Sequence, residues 1–96
     1  MKIKVQYLGP IRIIINKQEE EVEITPKTTV LQLLKKLVNA YGRTFKREVF
    51  EEASEELLEG LIITINGKAV GQLNGTKTEL KPGDAVALLP LFTGGG

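Results

Sequence analysis

The chain contains neither cysteine nor histidine. Without cysteine there is no disulfide, no thiolate nucleophile and no cysteine-held iron–sulfur cluster. Without histidine the commonest metal ligand and the usual general base are missing too, so no metal site is expected. An excess of either charge is also lacking: 13 basic residues against 12 acidic ones leave a formal net charge of +1. Nucleic-acid backbones demand a clustered basic footprint, and none is present, so nucleic acid is not an expected partner. No apolar run approaches the length of a membrane span. The chain opens on a polar–apolar alternation, not on a charged region followed by a long apolar run. No secretory signal is therefore read, and the expected compartment is the cytoplasm.

What remains is the balance of an ordinary globular domain, with 42% hydrophobic and 26% charged residues in a chain of 96. That length supports one domain with one core. Lys2-Ile3-Lys4-Val5-Gln6-Tyr7-Leu8 alternates with period two and predicts a half-buried strand, broken by Gly9-Pro10. Residues 11–15 are four β-branched isoleucines interrupted by Arg12, read either as an extension of a hairpin or as a connecting segment. Glu21-Val22-Glu23-Ile24-Thr25 alternates again, which suggests an antiparallel N-terminal hairpin, with Glu19, Glu20 and Glu21 as a solvated turn.

A helix then follows. Thr28 or Thr29 can cap it, and Thr29 with Gln32 has capping-box spacing. Val30, Leu33, Leu34, Leu37, Val38 and Tyr41 form one apolar stripe at i, i+3, i+4, i+7, i+8 and i+11, and Gly42 ends it. A weaker pattern through Val49, Phe50, Ala53, Leu57 and Leu58 predicts a second helix over 46–58, with its glutamates on a wet face. Residues 61–65 read as a strand followed by an Asn66-Gly67 hairpin turn, with a short return strand over 69–73. Lys81-Pro82-Gly83-Asp84 is a turn, and residues 85–89 are apolar enough for a central strand, closed by Pro90. One helix stripe needs one sheet face, so the class is α+β, with first and last strands side by side.

No pair of acids falls on a predictable cleft, and Asn74-Gly75-Thr76 lacks the following helix that a phosphate loop requires. The feature that stands out is the end of the chain. Gly94, Gly95 and Gly96 have no side chains to pack and carry the largest ordering entropy. Such a tail can thread a narrow channel and present the Gly96 carboxylate without steric hindrance. The opposing reading is an inert flexible end.

Leu80-Lys81-Pro82-Gly83-Asp84-Ala85-Val86-Ala87-Leu88-Leu89-Pro90, then a short apolar piece and terminal glycines, resembles the molybdopterin-synthase small subunit (MoaD) family and its thiamine sulfur-carrier (ThiS) relatives. Asn66-Gly67 in the preceding hairpin matches as well, and the order of elements extends the resemblance over nearly the whole chain.

The resemblance implies a ubiquitin-like β-grasp, a mixed sheet with a helix across one face. It places the folded domain at 1–90 and a flexible tail at 91–96. It implies a carrier subunit with no catalytic residues of its own. A ubiquitin-activating-type adenylyltransferase would use ATP to adenylate the terminal glycine, and a sulfur donor enzyme would convert it to a thiocarboxylate. The carrier itself would bind no cofactor. The sulfur would pass to a pterin precursor within a complex with the large subunit of molybdopterin synthase. Gly96 and Gly95 would carry the chemistry, with Gly94 and Thr93 completing the arm. Strand alternation turns Ile3, Val5, Tyr7, Ile63, Ile65, Val86 and Leu88 inward and leaves Leu8, Ile62 and Leu89 outward together, unless residues 11–15 or the second helix cover them. In the resembling family that face docks partners, so Leu8, Ile62, Leu89, Leu91 and Phe92 would meet them.

Two departures stand out. Thr93 precedes three glycines where the family has a small residue and two, so either Gly96 is activated or it is trimmed to leave Gly95. The region 42–60 is also longer than in the shortest members. Carriers for tRNA thiolation and for protein conjugation share the tail, and a pure interaction module with an inert tail is the reading from another class.

Overall fold

The computed structural model describes residues 1–90. In chain order the elements are β1 (Lys2–Tyr7), α1 (Pro10–Ile15), β2 (Glu19–Glu23), α2 (Val30–Tyr41), α3 (Arg43–Arg47), β3 (Leu61–Ile65), β4 (Lys68–Ala69) and β5 (Ala85–Pro90). Two 3₁₀ turns, Val70–Gln72 and Gly75–Lys77, link β4 to β5. The strands order as β2-β1-β5-β3-β4, with β1 and β5 parallel and the other neighbours antiparallel. The first and last strands therefore meet at the sheet centre, as their apolar content predicts. This mixed five-stranded sheet with a helix across one face is the ubiquitin-like β-grasp.

α2 carries the core. Thr29 caps it with the reciprocal pair that the sequence predicts: the Gln32 amide donates to Thr29 Oγ1 at 3.2 Å, and the Thr29 amide to Gln32 Oε1 at 2.9 Å. Val30, Leu33, Leu34 and Leu37 are buried against the inward set of the sheet, Ile3, Val5, Tyr7, Ile63, Ile65, Val86 and Leu88. The helix stops at Gly42, whose φ of +88° suits a residue without Cβ. Among the described residues, no helix is long and apolar enough to cross a membrane.

The two turn motifs have a structural purpose. Asn66 and Gly67 both take positive φ, the requirement of the tight hairpin between β3 and β4. The Asn66 side chain then reaches across, donating to Asp84 Oδ1 at 2.9 Å and accepting from the Ala85 amide at 3.0 Å. Asp84 Oδ2 accepts from the Lys81 amide at 2.8 Å, closing the turn that starts β5. The Asn-Gly and Pro-Gly-Asp signatures thus form one clasp that sets where β5 enters the sheet.

Four sequence expectations need correction. Residues 11–15 are neither strand nor plain connector but the body of α1. Pro10 opens that helix with a preset φ, and Ile11 and Ile15, four apart, both point into the core. Burial of that pair overrides the strand preference of β-branched side chains. β1 and β2 still pair antiparallel, but across this helix and not a tight turn.

The helix expected over 46–58 is only the short α3. Beyond it Phe50 and Leu57 form an antiparallel bridge, supported by the Leu58 amide donating to the Val49 carbonyl. Like charges three and four apart along Glu48, Glu51, Glu52, Glu55 and Glu56 disfavour a helix there. Ala53 turns at a φ of +58°, and Glu55 pairs with Lys35 of α2. The return strand after Asn66-Gly67 shrinks to two residues, because the chain coils into a 3₁₀ turn at Val70, whose side chain is buried. Finally, Glu19, Glu20 and Glu21 lie in edge strand β2, not in a turn.

Candidate functional site

β5 runs parallel to β1, so both strands point the same way and Pro90, the last residue of β5, lies beside the end of β1. Pro90 is in register with Leu61 there. Gly9 lies alongside, and a Cβ on it would stand 3.7 Å from Pro90 Cδ. Its φ of +60° adds a second reason for glycine at this corner.

Strand alternation puts Leu8, Leu89 and Ile62 on the face opposite α2. Tyr7 and Leu88 are register partners and both buried, and the Leu8 amide donates to the Leu88 carbonyl at 3.2 Å. Leu8 therefore follows on the outer side, next to Leu89, which pairs directly with Ile62. Leu8 is 38% exposed, while Leu89 and Ile62 are half-buried. Further from Pro90 the same face carries Lys4, Gln6, Ala85, Ala87 and Thr64, so its large apolar side chains gather at the Pro90 end of the sheet. The segments that could have covered this row go elsewhere. Ile11 and Ile15 join the core, and α1 packs against α3. Three of the expected partner-contact residues thus share one patch. The other expected site residues, Leu91, Phe92, Thr93, Gly94, Gly95 and Gly96, lie outside the described residues.

The marked electrostatic perturbation lies on the other face. Tyr7 donates to Glu20 Oε2 at 2.5 Å, Tyr41 donates to the same oxygen, and Lys17 donates to Glu20 Oε1 at 3.0 Å. Burial works to raise the Glu20 carboxyl, but the hydrogen bonds from Tyr41, Tyr7 and Lys17 outweigh it and hold the pKa below the usual carboxylate range. Burial, reinforced by Glu20, pushes the Tyr7 hydroxyl far above its ordinary value, and Tyr41 rises for the same reasons. The Tyr41 ring also packs edge-on to Tyr7 at 6.3 Å and against Phe45 at 6.1 Å. This group ties β1, β2 and α2 together. Its hydroxyl protons are committed to one carboxylate, and Tyr7 is 1% exposed, so it holds the fold and is not built to meet a substrate. Sequence reasoning missed it, although the signal was available: extending the inward alternation of Ile24 and Val22 back by two reaches Glu20.

Among the described residues no group of three or more acids could hold a metal ion. A surface concavity of about 600 Å³ between α3 and the following turns is lined by Arg43, Lys46 and Arg47 but also by Glu51 and Glu52, with no nucleophile–base pair. Among the described residues, the feature open to a partner is the Leu8–Leu89–Ile62 row at the Pro90 end of the central strand β5.

The fold defines a ubiquitin-like β-grasp domain. The chain matches the family model of the ThiS family over residues 5–95, and it belongs to that family of ubiquitin-related sulfur carriers. It is 31% identical to a Pyrococcus furiosus protein assigned as molybdopterin converting factor subunit 1, covering 96% of this chain and 99% of that one at a TM-score of 0.75. It is 27% identical to small archaeal modifier protein 1 from Methanosarcina acetivorans, covering 98% of this chain and 96% of that one at a TM-score of 0.84. A chain of the BexX/CysO complex from Amycolatopsis orientalis has the same fold, with a TM-score of 0.73 at 22% identity over 97% of this chain and 99% of that one. No curated protein matches in sequence.

Proposed function

We propose that this protein carries sulfur on its terminal glycine for molybdopterin synthesis. The observation behind the proposal is the meeting, at one end of the sheet, of the Leu8–Leu89–Ile62 row with the strand that leads to Gly94, Gly95 and Gly96. On this reading residues 1–90 are the grip and 91–96 the arm, and the chemistry takes place in the cytoplasm.

A carboxylate is a poor electrophile, so activation comes first. A Gly96 carboxylate oxygen attacks the α-phosphorus of ATP on a ubiquitin-activating-type adenylyltransferase, and pyrophosphate leaves. A sulfur nucleophile from a donor enzyme attacks the resulting mixed anhydride at the glycyl carbonyl, and AMP leaves. Where that nucleophile is a persulfide of the donor enzyme, a second thiol attacks the donor's own sulfur in the acyl disulfide. The S–S bond breaks, the thiocarboxylate leaves and a disulfide forms between the two thiols. Three bare glycines suit a channel where any Cβ would clash, and main-chain hydrogen bonds along it offset the ordering entropy. If Gly96 is trimmed first, Gly95 takes its role. The large subunit of molybdopterin synthase then docks on the apolar row and holds the pterin precursor that takes the sulfur, a reading supported by the Pyrococcus furiosus relative.

A second reading is favoured by the likeness to small archaeal modifier protein 1: the same activated terminus serves tRNA thiolation or is joined to protein lysines. Intact-mass spectrometry of the chain after incubation with ATP, the cognate activating enzyme and its sulfur donor tests the shared step. A thiocarboxylate in place of the terminal carboxylate is expected, and an unchanged mass with a demonstrably active enzyme refutes it. Adding the large synthase subunit and a pterin precursor then separates the two readings by whether the sulfur is consumed.

A further inference from the structure

We propose that Ile13, on the solvent side of α1, is a second docking contact for the activating enzyme, set beside the point where the arm leaves the domain. This rests on the carrier reading above and adds a part of the partner's footprint.

The argument starts from reach. An extended chain spans at most about 3.3–3.6 Å per residue, so residues 91–96 reach about 20 Å. An enzyme that holds the terminal carboxylate in its active site must therefore bring its own surface onto the surroundings of Pro90. One side of those surroundings is the outward row already described. Another is α1, which packs against β5 and begins directly after Gly9, the residue that abuts Pro90. Ile13 lies about one helical turn, about 5.4 Å, beyond that corner.

The side chain at this position has no structural use. Ile11 and Ile15 turn inward and are buried, while Ile13 points away from them and is 81% exposed. A lone exposed aliphatic residue is ordinary on a protein surface. Its position is what distinguishes it: of the three large hydrophobics exposed among the described residues, Leu8, Ile13 and Leu73, two flank the Gly9–Pro90 contact. A concavity of about 360 Å³ beside Ile13 is lined by Arg12, Asn16, Lys17 and Gln18, a polar and cationic rim. The matching partner surface is an apolar socket with acidic groups at its edge, and a tether this short keeps the enzyme within reach of it.

The test follows ATP-dependent activation of the intact chain by the cognate enzyme for wild type, Ile13→Asp, Ile13→Ser, Ile13→Leu and Leu73→Asp, with a thermal melt of each. Both polar variants should melt like wild type, because the site is exposed, and should lose at least about tenfold in kcat/KM through a raised KM. Ile13→Leu should restore activation, and Leu73→Asp should stay within about twofold. Wild type that is never activated overturns the carrier reading itself. Wild type activated normally with Ile13→Asp and Ile13→Ser within about twofold of it overturns the Ile13 contact alone, as does an equal loss in Leu73→Asp. If Ile13→Asp unfolds, Ile13→Ser decides by the same thresholds.

Discussion

Replacing Leu34 by Ala separates what folds this protein from what makes it a carrier. Leu34 lies in the middle of α2, is fully buried, and belongs to the stripe that faces the inward residues of β1, β3 and β5. Truncation removes three carbons from that contact, about 2.4 kcal/mol at about 0.8 kcal/mol per buried methylene. The cavity left behind adds to this, which brings the total into the range of about 2–5 kcal/mol seen for leucine truncations in cores. Domains of this size are stable by about 5–15 kcal/mol, so the variant should remain mostly folded at 25 °C. At about 4–8 °C per kcal/mol, a loss of about 3 kcal/mol lowers Tm by about 12–24 °C. Circular dichroism melts measure that shift, and intact-mass spectrometry at 25 °C measures activation in the same sample. The folded molecules should be adenylated at the wild-type rate, since Leu34 is on the side of the sheet away from the Leu8–Leu89–Ile62 row. A Tm shift of only a few degrees would refute the packing argument. A normal melt with lost activation would refute the assignment of function to the other face.

Other perturbations probe the remaining parts. Leu89→Asp puts a charge at the centre of the outward row and should weaken partner binding by a few kcal/mol, as for the core of an interface; isothermal titration with the activating enzyme or the large subunit would reject the patch if affinity were unchanged. Glu20→Gln should cost about 1.5–3 kcal/mol at pH 7, the value of hydrogen bonds to a charged acceptor. Because the folded pKa of Glu20 is lowered, its contribution is complete above the ordinary value of 4.5 and is lost as pH falls through the lowered one. The gap between wild type and Glu20→Gln in denaturant midpoint should therefore close on acidification below about pH 4.5, and a gap constant down to pH 3 would contradict the account. Gly95→Ala should leave the melt unchanged and slow activation substantially, because one methyl is harmless in solution and obstructs a channel fitted to bare backbone; equal rates would mean that no such channel closes on Gly95.

Much of this architecture was legible in the residues. The Val30-to-Tyr41 stripe has an unambiguous helical period and capping residues at its start, so α2 could be placed with only the choice between Thr28 and Thr29 as cap left open, and the cap is Thr29. Strand alternation sorted Ile3, Val5 and Tyr7 inward and Leu8 outward, and the near-continuous apolar run before Pro90 marked the central strand. The failures lie where two physical signals compete. Four isoleucines after Pro10 carry strand propensity and an i, i+4 pair at once, and only the core decides between them. Around Phe50 a loose helical pattern belongs to two short segments folded back on each other, so spacing along the chain misreported spacing in three dimensions. Glu20 was misread because a run of three glutamates looks solvated, although its position in the alternation points it at two tyrosine hydroxyls. The site divides similarly: the apolar row followed from periodicity, while the importance of the corner beside Pro90 depends on a parallel pairing of β1 with β5 that only the fold supplies.

The central claim is that the terminal glycines are the functional group and the rest of the chain is their holder. Deleting Gly95 and Gly96 and running the truncated chain through the same ATP-dependent activation, followed by intact-mass spectrometry, tests it most directly. The account predicts a melting curve indistinguishable from wild type and no adenylate or thiocarboxylate, because the arm now ends at Gly94 and falls short of the nucleotide. A truncated chain that is still activated at the wild-type rate, or one that no longer folds, would contradict it.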